Sequence, residues 1–131
     1  MDAVQALGEL TEISSQIEAA CLLDSEGNLL GSTLRDEAAA TRFAEAAAAL
    51  LREARNAGGS DPAQLEASTL DGSVFLVLER DRAVVAVTRP EPTVGLVFYD
   101  LKSCLRAAAT PGDGDGRPRP RTRETVNESA A

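Results

Sequence analysis

Histidine and tryptophan are absent from this 131-residue chain, and its aromatic residues are limited to three Phe and one Tyr. Without His, the chain cannot build a Ser-His-Asp triad, a Cys-His nucleophile pair or a His-based zinc site. Its two cysteines, Cys21 and Cys104, are too few for a four-thiolate site or a disulfide framework. The composition therefore predicts a protein that is not an enzyme, with no catalytic residue, no metal site and no cofactor.

Targeting and membrane-spanning segments are missing as well. The first residues, Met1-Asp2-Ala3-Val4, lack the basic region and the apolar run of a signal peptide. The longest apolar runs, such as residues 46–51, are far shorter than the roughly 20 residues that span a bilayer. We therefore expect a cytoplasmic protein that does not insert directly into a membrane.

Positive charge is scarce, because 13 Lys and Arg face 21 Asp and Glu and give a net charge of −8. An acidic surface repels phosphate, which argues against nucleic acid as a partner. The apolar fraction of 44% is that of an ordinary globular protein, and the length suits one domain.

Composition changes near residue 109. Residues 110–131 contain three of the six prolines and a single large aliphatic residue, so they cannot bury enough apolar area to offset chain entropy. We therefore predict a domain over 1–109 and a disordered tail over 110–131. The tail's charges cancel, and its basic side chains lie in one run, which could alternatively be a docking peptide for an acidic surface. These side chains are Arg117, Arg119, Arg121 and Arg123.

Three segments have helical spacing. Residues 2–17 place apolar side chains at steps of three and four, which predicts an amphipathic helix. Residues 37–57 are rich in alanine, with Asp36 as a candidate N-cap and Gly58-Gly59 as the stop signal. A last helix follows Thr93, and its predicted apolar stripe consists of Val94, Val97, Phe98, Leu101, Cys104, Leu105 and Ala108. The apolar stripe of the first helix consists of Val4, Leu7, Leu10, Ile13 and Ile17.

Five short segments are typical of strands. Two apolar runs flank a polar turn at residues 24–28, and Asp71-Gly72 is a preferred two-residue hairpin turn. Residues 74–78 and 83–87 are apolar at every position, so both faces of the sheet should be covered. The short connections require antiparallel pairing. The predicted fold is α+β, a five-stranded antiparallel sheet with helices on both faces, in the order α-β-β-α-β-β-β-α.

Several segments together resemble the roadblock family, the dynein-light-chain roadblock-type and profilin-like domains. The segments are "AACLLDSEGNLLGST", the alanine-rich helix, "LDGSVFLVLERDRAVVAVT" and, for the actinobacterial branch, "PTVGLVFYDLKSCLR". The resemblance covers about residues 2–109. The turn before Ala19 lacks the Pro-Gly pair common in the family, which leaves the junction of the first helix and strand open.

The resemblance implies a homodimer, or a pair with a related subunit, in which the middle helices and third strands meet at the dyad. It implies a non-enzymatic scaffold or regulator that binds a small Ras-like GTPase in a signalling complex, with a sensor-kinase-like protein as a further partner. The alanines of the middle helix favour helix formation in any case, but small side chains also permit close helix–helix approach. The predicted dimer or partner interface consists of Ala46, Ala49, Leu50, Leu65, Ala67 and Thr69.

Other interpretations remain open at this stage. A sensory or ligand-binding module of the PAS/profilin type would need a lined cavity, which the few aromatic residues disfavour. Carboxylates in the predicted turns could bind a hard cation, although Asp is an ordinary turn residue. The two cysteines could form a redox switch if adjacent, but core packing is the more common role. The turn carboxylates are Asp24, Glu26, Asp71, Glu79 and Asp81.

Overall fold

In the computed structural model, three helices and five strands follow one another in the order that the sequence predicted. The structure describes residues 1–58 and 63–108. Elements α1, β1 and β2 come before the long helix α2, and β3, β4, β5 and α3 follow it. Their bounds are α1 Ala3–Ile13, β1 Ile17–Asp24, β2 Leu29–Ser32, α2 Glu37–Gly58, β3 Gln64–Thr69, β4 Gly72–Glu79, β5 Arg82–Thr88 and α3 Val94–Ala108.

The five strands form one antiparallel sheet in the order β2-β1-β5-β4-β3. The strands with continuous apolar sequence, β1, β4 and β5, occupy the three central places. Strands β2 and β3 lie at the edges. This arrangement matches the rule that a strand apolar at every position has both of its faces covered.

Helices cover both faces of the sheet, as the sequence predicted. Helices α1 and α3 pack on one face, called here the α1/α3 face, around Phe75, Val77 and Val84. Helix α2 packs alone on the other, the α2 face, against Leu76 and Val85. Each central strand thus alternates its side chains between two separate hydrophobic clusters.

Helix α1 is shorter than the periodicity predicted. It begins after a capping box formed by Asp2 and Gln5 and ends at Ile13, and Ile17 is the first residue of β1. Its buried face is centred on Leu7 and Leu10, whereas Val4 is 64% and Ile13 66% exposed. The predicted stripe was therefore wrong at Val4 and Ile13, which are exposed residues of the helix. It was also wrong at Ile17, because regular apolar spacing continued past the helix end into a buried strand.

Helix α2 begins at Glu37, as predicted, and Asp36 is its N-cap. The Asp36 Oδ2 atom accepts a hydrogen bond from the Ala39 backbone N–H at 2.9 Å, which satisfies one of the free donors of the first turn. Small residues let the helix approach the β1–β2 turn closely, since a Cβ on Gly27 would lie 3.1 Å from the Ala48 Cβ. Gly59, the second half of the predicted stop, lies outside the described residues. The buried side chains are Ala40, Ala44, Ala47 and Leu51.

The β3–β4 hairpin turns one residue earlier than predicted. Thr69 is paired with Gly72, so Leu70 and Asp71 form the turn and Gly72 belongs to β4. Gly72 has a φ of 153°, and a Cβ there would lie 2.3 Å from the Thr88 carbonyl oxygen. The glycine is needed for its φ and for the close approach of β5, which explains why the turn pair Asp71-Gly72 was misassigned.

Helix α3 begins after Thr93, whose carbonyl oxygen accepts a hydrogen bond from the Val97 N–H. The predicted apolar stripe is confirmed from Val97 to Ala108, but it includes one residue that the sequence reasoning omitted. Asp100 is only 6% exposed and lies among the apolar side chains of the helix. Gly95 does not serve close packing, because a Cβ there would meet nothing within 4 Å.

The described helices are all too short or too polar to cross a membrane. The predicted tail, residues 110–131, lies outside the described residues.

Candidate interaction surface of helix α2 and edge strand β3

Strand β3 has only one neighbour within the part of the chain that the structure describes. It pairs with β4, and its other edge carries backbone N–H and C=O groups that are free to pair with a further strand. Such an edge is a ready template for strand addition by another chain.

The α2 face of β3 is formed by three of the predicted interface residues. Leu65 and Ala67 have Leu76 and Val74 as cross-strand partners, and both partners pack in the α2-side cluster. Leu65, Ala67 and Thr69 therefore point to the same side of the sheet as α2. Leu65 is half-buried, whereas Ala67 and Thr69 are exposed.

No charged side chain lies on this face of β3. The single charged residue of the strand, Glu66, is paired with Phe75, which belongs to the α1/α3-side cluster. Glu66 therefore points to the opposite side of the sheet. Natural edge strands are often protected by charged or proline residues, and here the α2 face has neither.

Helix α2 supplies the other three predicted residues. Leu50 is half-buried and packs on the α2-side cluster, together with Phe43. At 100° per residue, Leu50, Ala46 and Ala49 lie progressively further around the helix from the buried face. The opposite flank of the helix carries Ala48, which lies against Gly27 in the β1–β2 turn. Because β2 and β3 are opposite edges of the sheet, the flank with Leu50 faces β3.

The structure thus brings Leu50 and Ala46 to the same side of the molecule as Leu65, Ala67 and Thr69, whereas Ala49 points away from the sheet. The six predicted residues are called here the α2–β3 surface. Leu50 and Leu65 form its half-buried apolar centre, since both pack on the same cluster. Sequence reasoning missed two contributors. Val74 joins through its pairing with Ala67, and Phe43 is half-buried against the same cluster as Leu50. Only the strand register could have identified Val74.

The turn carboxylates do not assemble into a cation site. Within residues 1–58 and 63–108 no group of three metal-binding side chains comes together. The register places the turns with Asp24 and Glu79 at one end of the sheet, because both residues pair with Arg82, and the turn with Asp71 at the other.

Asp24 has a local structural role. Its carboxylate accepts hydrogen bonds from the Asn28 N–H at 2.9 Å, the Asn28 side-chain amide at 3.1 Å and the Glu26 N–H at 2.9 Å. These bonds, with those of Asn28 the strongest, favour the ionised form and lower the pKa of Asp24. The residue orders the β1–β2 turn.

The two cysteines lie on opposite faces of the sheet. Cys21 belongs to the α2-side cluster and Cys104 to the α1/α3-side cluster, so they cannot pair as a redox switch. Burial raises the pKa of the Cys21 thiol to about 12, and burial together with the charge of Glu9 raises the pKa of Cys104 to about 11. Both thiols are therefore protonated at neutral pH, as the core-packing interpretation requires.

Two open grooves lie elsewhere on the described part of the molecule, and the second of them borders the α2–β3 surface at Thr69. One, of about 300 Å³, runs between the β1–β2 turn and the outer flank of α2, and the other, of about 330 Å³, lies beside Leu70 and the 90–94 segment. Neither is lined by an aromatic side chain.

Comparison with known proteins identifies the architecture. No protein-family model and no curated protein matches the chain. Among solved structures, the crystal structure of a Roadblock/LC7 domain from Streptomyces avermitilis is 18% identical, with a TM-score of 0.72. That match covers 82% of this chain and 94% of the other.

Two further solved structures have the same architecture. A structure of MglB with tetrameric arrangement is 21% identical, with a TM-score of 0.59, over 82% of this chain and 85% of that one. LokiProfilin2, in a complex with rabbit actin, is 12% identical, with a TM-score of 0.55, over 79% and 92%. The order of elements, the sheet and these likenesses agree that the chain has the fold of a Roadblock/LC7 domain.

Proposed function

We propose that this chain is a non-enzymatic cytoplasmic scaffold of the roadblock family that forms a homodimer and binds a small Ras-like GTPase in a signalling complex. The observation that carries the proposal is the α2–β3 surface. There the edge strand β3 has no charged side chain on its α2 face, and it lies beside the half-buried side chains of Leu50 and Leu65. Such a surface is costly to leave in water and favours a protein partner.

A second copy of the chain suits this surface by symmetry. Two β3 strands that pair antiparallel about a two-fold axis join both sheets into one, and this contact is self-complementary. The two α2 helices then approach across the dyad, where Ala46 and Ala49 leave room for close packing and Leu50 is covered. A related roadblock subunit could take the place of one copy in the same geometry.

The GTPase partner is supported by the family resemblance and by the shape of the expected dimer. Two long helices side by side form a broad, rigid surface that suits a folded protein better than a small molecule. Two structures with this fold are of protein assemblies, MglB with tetrameric arrangement and LokiProfilin2 with actin. The net charge of −8 favours a partner with a basic surface. A sensor-kinase-like protein is a further partner that the resemblance implies.

The alternative, a sensory or ligand-binding module of the PAS/profilin type, has less support. Ligand sites are mostly closed pockets lined by apolar and aromatic groups. The two grooves described above are open and contain no aromatic residue. The composition, without His, also gives little means for catalysis.

The experiment has two stages and uses Leu50→Arg with Glu12→Ala as a surface control. Light scattering at micromolar concentration is expected to return a dimer for the wild type and the control. It should return a monomer for Leu50→Arg, because a guanidinium at the apolar centre opposes burial. Calorimetry then tests binding of a small Ras-like GTPase in both nucleotide states.

We expect the wild type and Glu12→Ala to bind the GTPase, with association slowed by salt, and Leu50→Arg to lose binding together with dimerisation. A wild-type monomer contradicts the dimer. Failure of both nucleotide states to bind well above micromolar concentration contradicts the GTPase partner.

A further inference from the structure

Strand β3 directs every second pair of backbone groups to its outer edge. The Leu78 N–H donates to the Ala63 carbonyl oxygen at 2.9 Å, which makes these residues a hydrogen-bonded pair of the β3–β4 ladder. Hydrogen-bonded and non-hydrogen-bonded pairs alternate along an antiparallel ladder, so every second residue after Ala63 also bonds to β4. The N–H and C=O groups of Gln64, Glu66 and Ser68 therefore point away from β4, to the edge that has no neighbour among the described strands.

The side chains of the same three residues lie on the α1/α3 face. Gln64 is paired with Val77 and Glu66 with Phe75, and both partners belong to the α1/α3-side cluster. All three side chains are exposed. The Ser68 Oγ atom donates a hydrogen bond to the Glu66 Oε2 atom at 2.6 Å, which keeps the carboxylate beside the edge. On this face the edge thus presents an amide, a carboxylate and a hydroxyl in one row.

Few registers are open to two copies of β3 that pair about a two-fold axis. Both α2 helices must lie on one side of the joined sheet, so residues of the same face must lie opposite each other. An axis at Glu66 sets two like charges directly opposite, which is destabilising. An axis at Ala67 sets Leu65 opposite the hydroxyl of Thr69. An axis at Leu65 sets Leu65 opposite Leu65 and Gln64 opposite Glu66, so that apolar meets apolar and amide meets carboxylate.

We propose that Gln64, Leu65 and Glu66 select the partner of β3 and place the two-fold axis at Leu65. This inference rests on the proposed homodimer and specifies its register. The Gln64 side-chain amide donates to the Glu66 carboxylate of the second copy, and the symmetry repeats this contact. On the α2 face the two Leu65 side chains form a close pair, with Cβ atoms about 4.5–5.5 Å apart. The contact completes the burial of a leucine that is half-buried in the single chain.

This register determines which chains β3 accepts. A related subunit fits only where its strand offers a hydrogen-bond donor opposite Glu66 and an apolar side chain opposite Leu65, whereas an acidic residue opposite Glu66 is repelled. The full hydrogen-bonded pairing is short, because the next residue that would lie opposite Ser68 is Pro62, which has no N–H to donate. With few backbone bonds, the side-chain pairs contribute a large share of the selectivity.

Disulfide cross-linking of the full-length chain maps the register. Gln64→Cys and Glu66→Cys chains of different mass are mixed under reducing conditions and then oxidised. A mixed disulfide is expected, because Cα atoms about 5.5 Å apart in a directly opposite pair suit the bond. Either variant alone should not cross-link, since its two copies of the cysteine are diagonal neighbours about 7–8 Å apart. The wild type is the control, because Cys21 and Cys104 are buried.

Opposite charge changes at Gln64 test the same contact without cysteines. Gln64→Glu should raise the dissociation constant of the dimer about two- to thirtyfold, because it sets like charges opposite Glu66 at two symmetric places. Gln64→Lys should lower the constant by a similar factor, and high salt should reduce both effects. The control Glu12→Gln on α1 changes the net charge by the same amount as Gln64→Lys and should leave the constant unchanged. Analytical ultracentrifugation measures all four chains.

The outcomes separate the register from the dimer itself. A monomeric wild type overturns both. A dimer that cross-links through Glu66→Cys alone has its axis at Glu66, and one that cross-links through Ala67→Cys alone has its axis at Ala67. Either result overturns the register and leaves the homodimer standing. Equal dissociation constants for Gln64→Glu and Gln64→Lys also overturn the register, since they show that Glu66 is not opposite Gln64.

Discussion

At the scale of single residues, several positions are determined by backbone geometry rather than by side-chain chemistry. Gly72 combines a positive φ with the close approach of the Thr88 carbonyl, so it has two independent reasons to be glycine. Asp100 is the opposite case, a charged side chain at a position where the helix pattern calls for an apolar one. Sequence periodicity identifies neither, because it records polarity but not contacts.

The glycine argument predicts that Gly72→Ala destabilises the fold by at least about 2 kcal/mol, from backbone strain and from the clash with Thr88. The matched control is Gly8→Ala in α1, where a Cβ meets nothing within 4 Å. That change should be neutral or stabilising by about 0.5–1 kcal/mol, since alanine favours helices. Urea denaturation measures both, and equal stability of Gly72→Ala and the wild type would contradict the argument.

At the scale of elements, the order and type of every helix and strand could be predicted, whereas ends and faces were less certain. Continuous apolar strands and alanine-rich helices are strong local signals, so β4, β5 and α2 were placed correctly. Helix α1 was predicted too long because its apolar spacing continued into the buried start of β1. Which residues of α1 are buried depends on α3 and β2, and this tertiary packing is not visible in local spacing.

The candidate surface was predictable in part for the same reason. Leu50 was found because it lies beside the buried stripe of α2, which helical spacing reveals. Val74 was missed because its place depends on the register of β3 and β4.

The N-cap of α2 gives a prediction at this scale. Asp36→Ala removes the hydrogen bond to the Ala39 N–H and should lower the free energy of unfolding by about 1 kcal/mol. Asp36→Ser retains a capping oxygen and should recover most of the loss. Thermal or chemical denaturation followed by circular dichroism checks both variants, and an unchanged Asp36→Ala chain would show that the cap contributes nothing.

At the scale of the whole molecule, the two sides of the sheet differ in what covers them. Helix α2 alone covers one face and leaves the apolar α2–β3 surface, which suits a second copy, whereas α1 and α3 together cover the other face. The sequence alone suggested the α2–β3 surface through family resemblance and left the tail's role open. The burial of Asp100 could not be foreseen, since it depends on the packing of α1 and α3, two helices far apart in the chain.

The domain boundary yields a prediction for the tail. A chain that ends at Ala109 should melt within about 4–8 °C of the full-length protein, a shift that corresponds to about 1 kcal/mol, because residues 110–131 offer few apolar side chains that could stabilise the domain. Differential scanning calorimetry of the two chains measures the difference. A much larger drop would contradict this prediction and show that the tail stabilises the domain.

The strand order also bears on how the chain reaches its native state. Strand pairs β1–β2, β3–β4 and β4–β5 are neighbours in the chain, so each forms by closing a short loop. The β1–β5 pair alone joins distant segments, from Asp24 with Arg82 out to Ile17 with Thr88. Loop closure over such a separation is the largest entropic barrier in the sheet, and high contact order slows folding. The two halves are therefore expected to form early as hairpins, with the β1–β5 seam closing last and setting the folding rate.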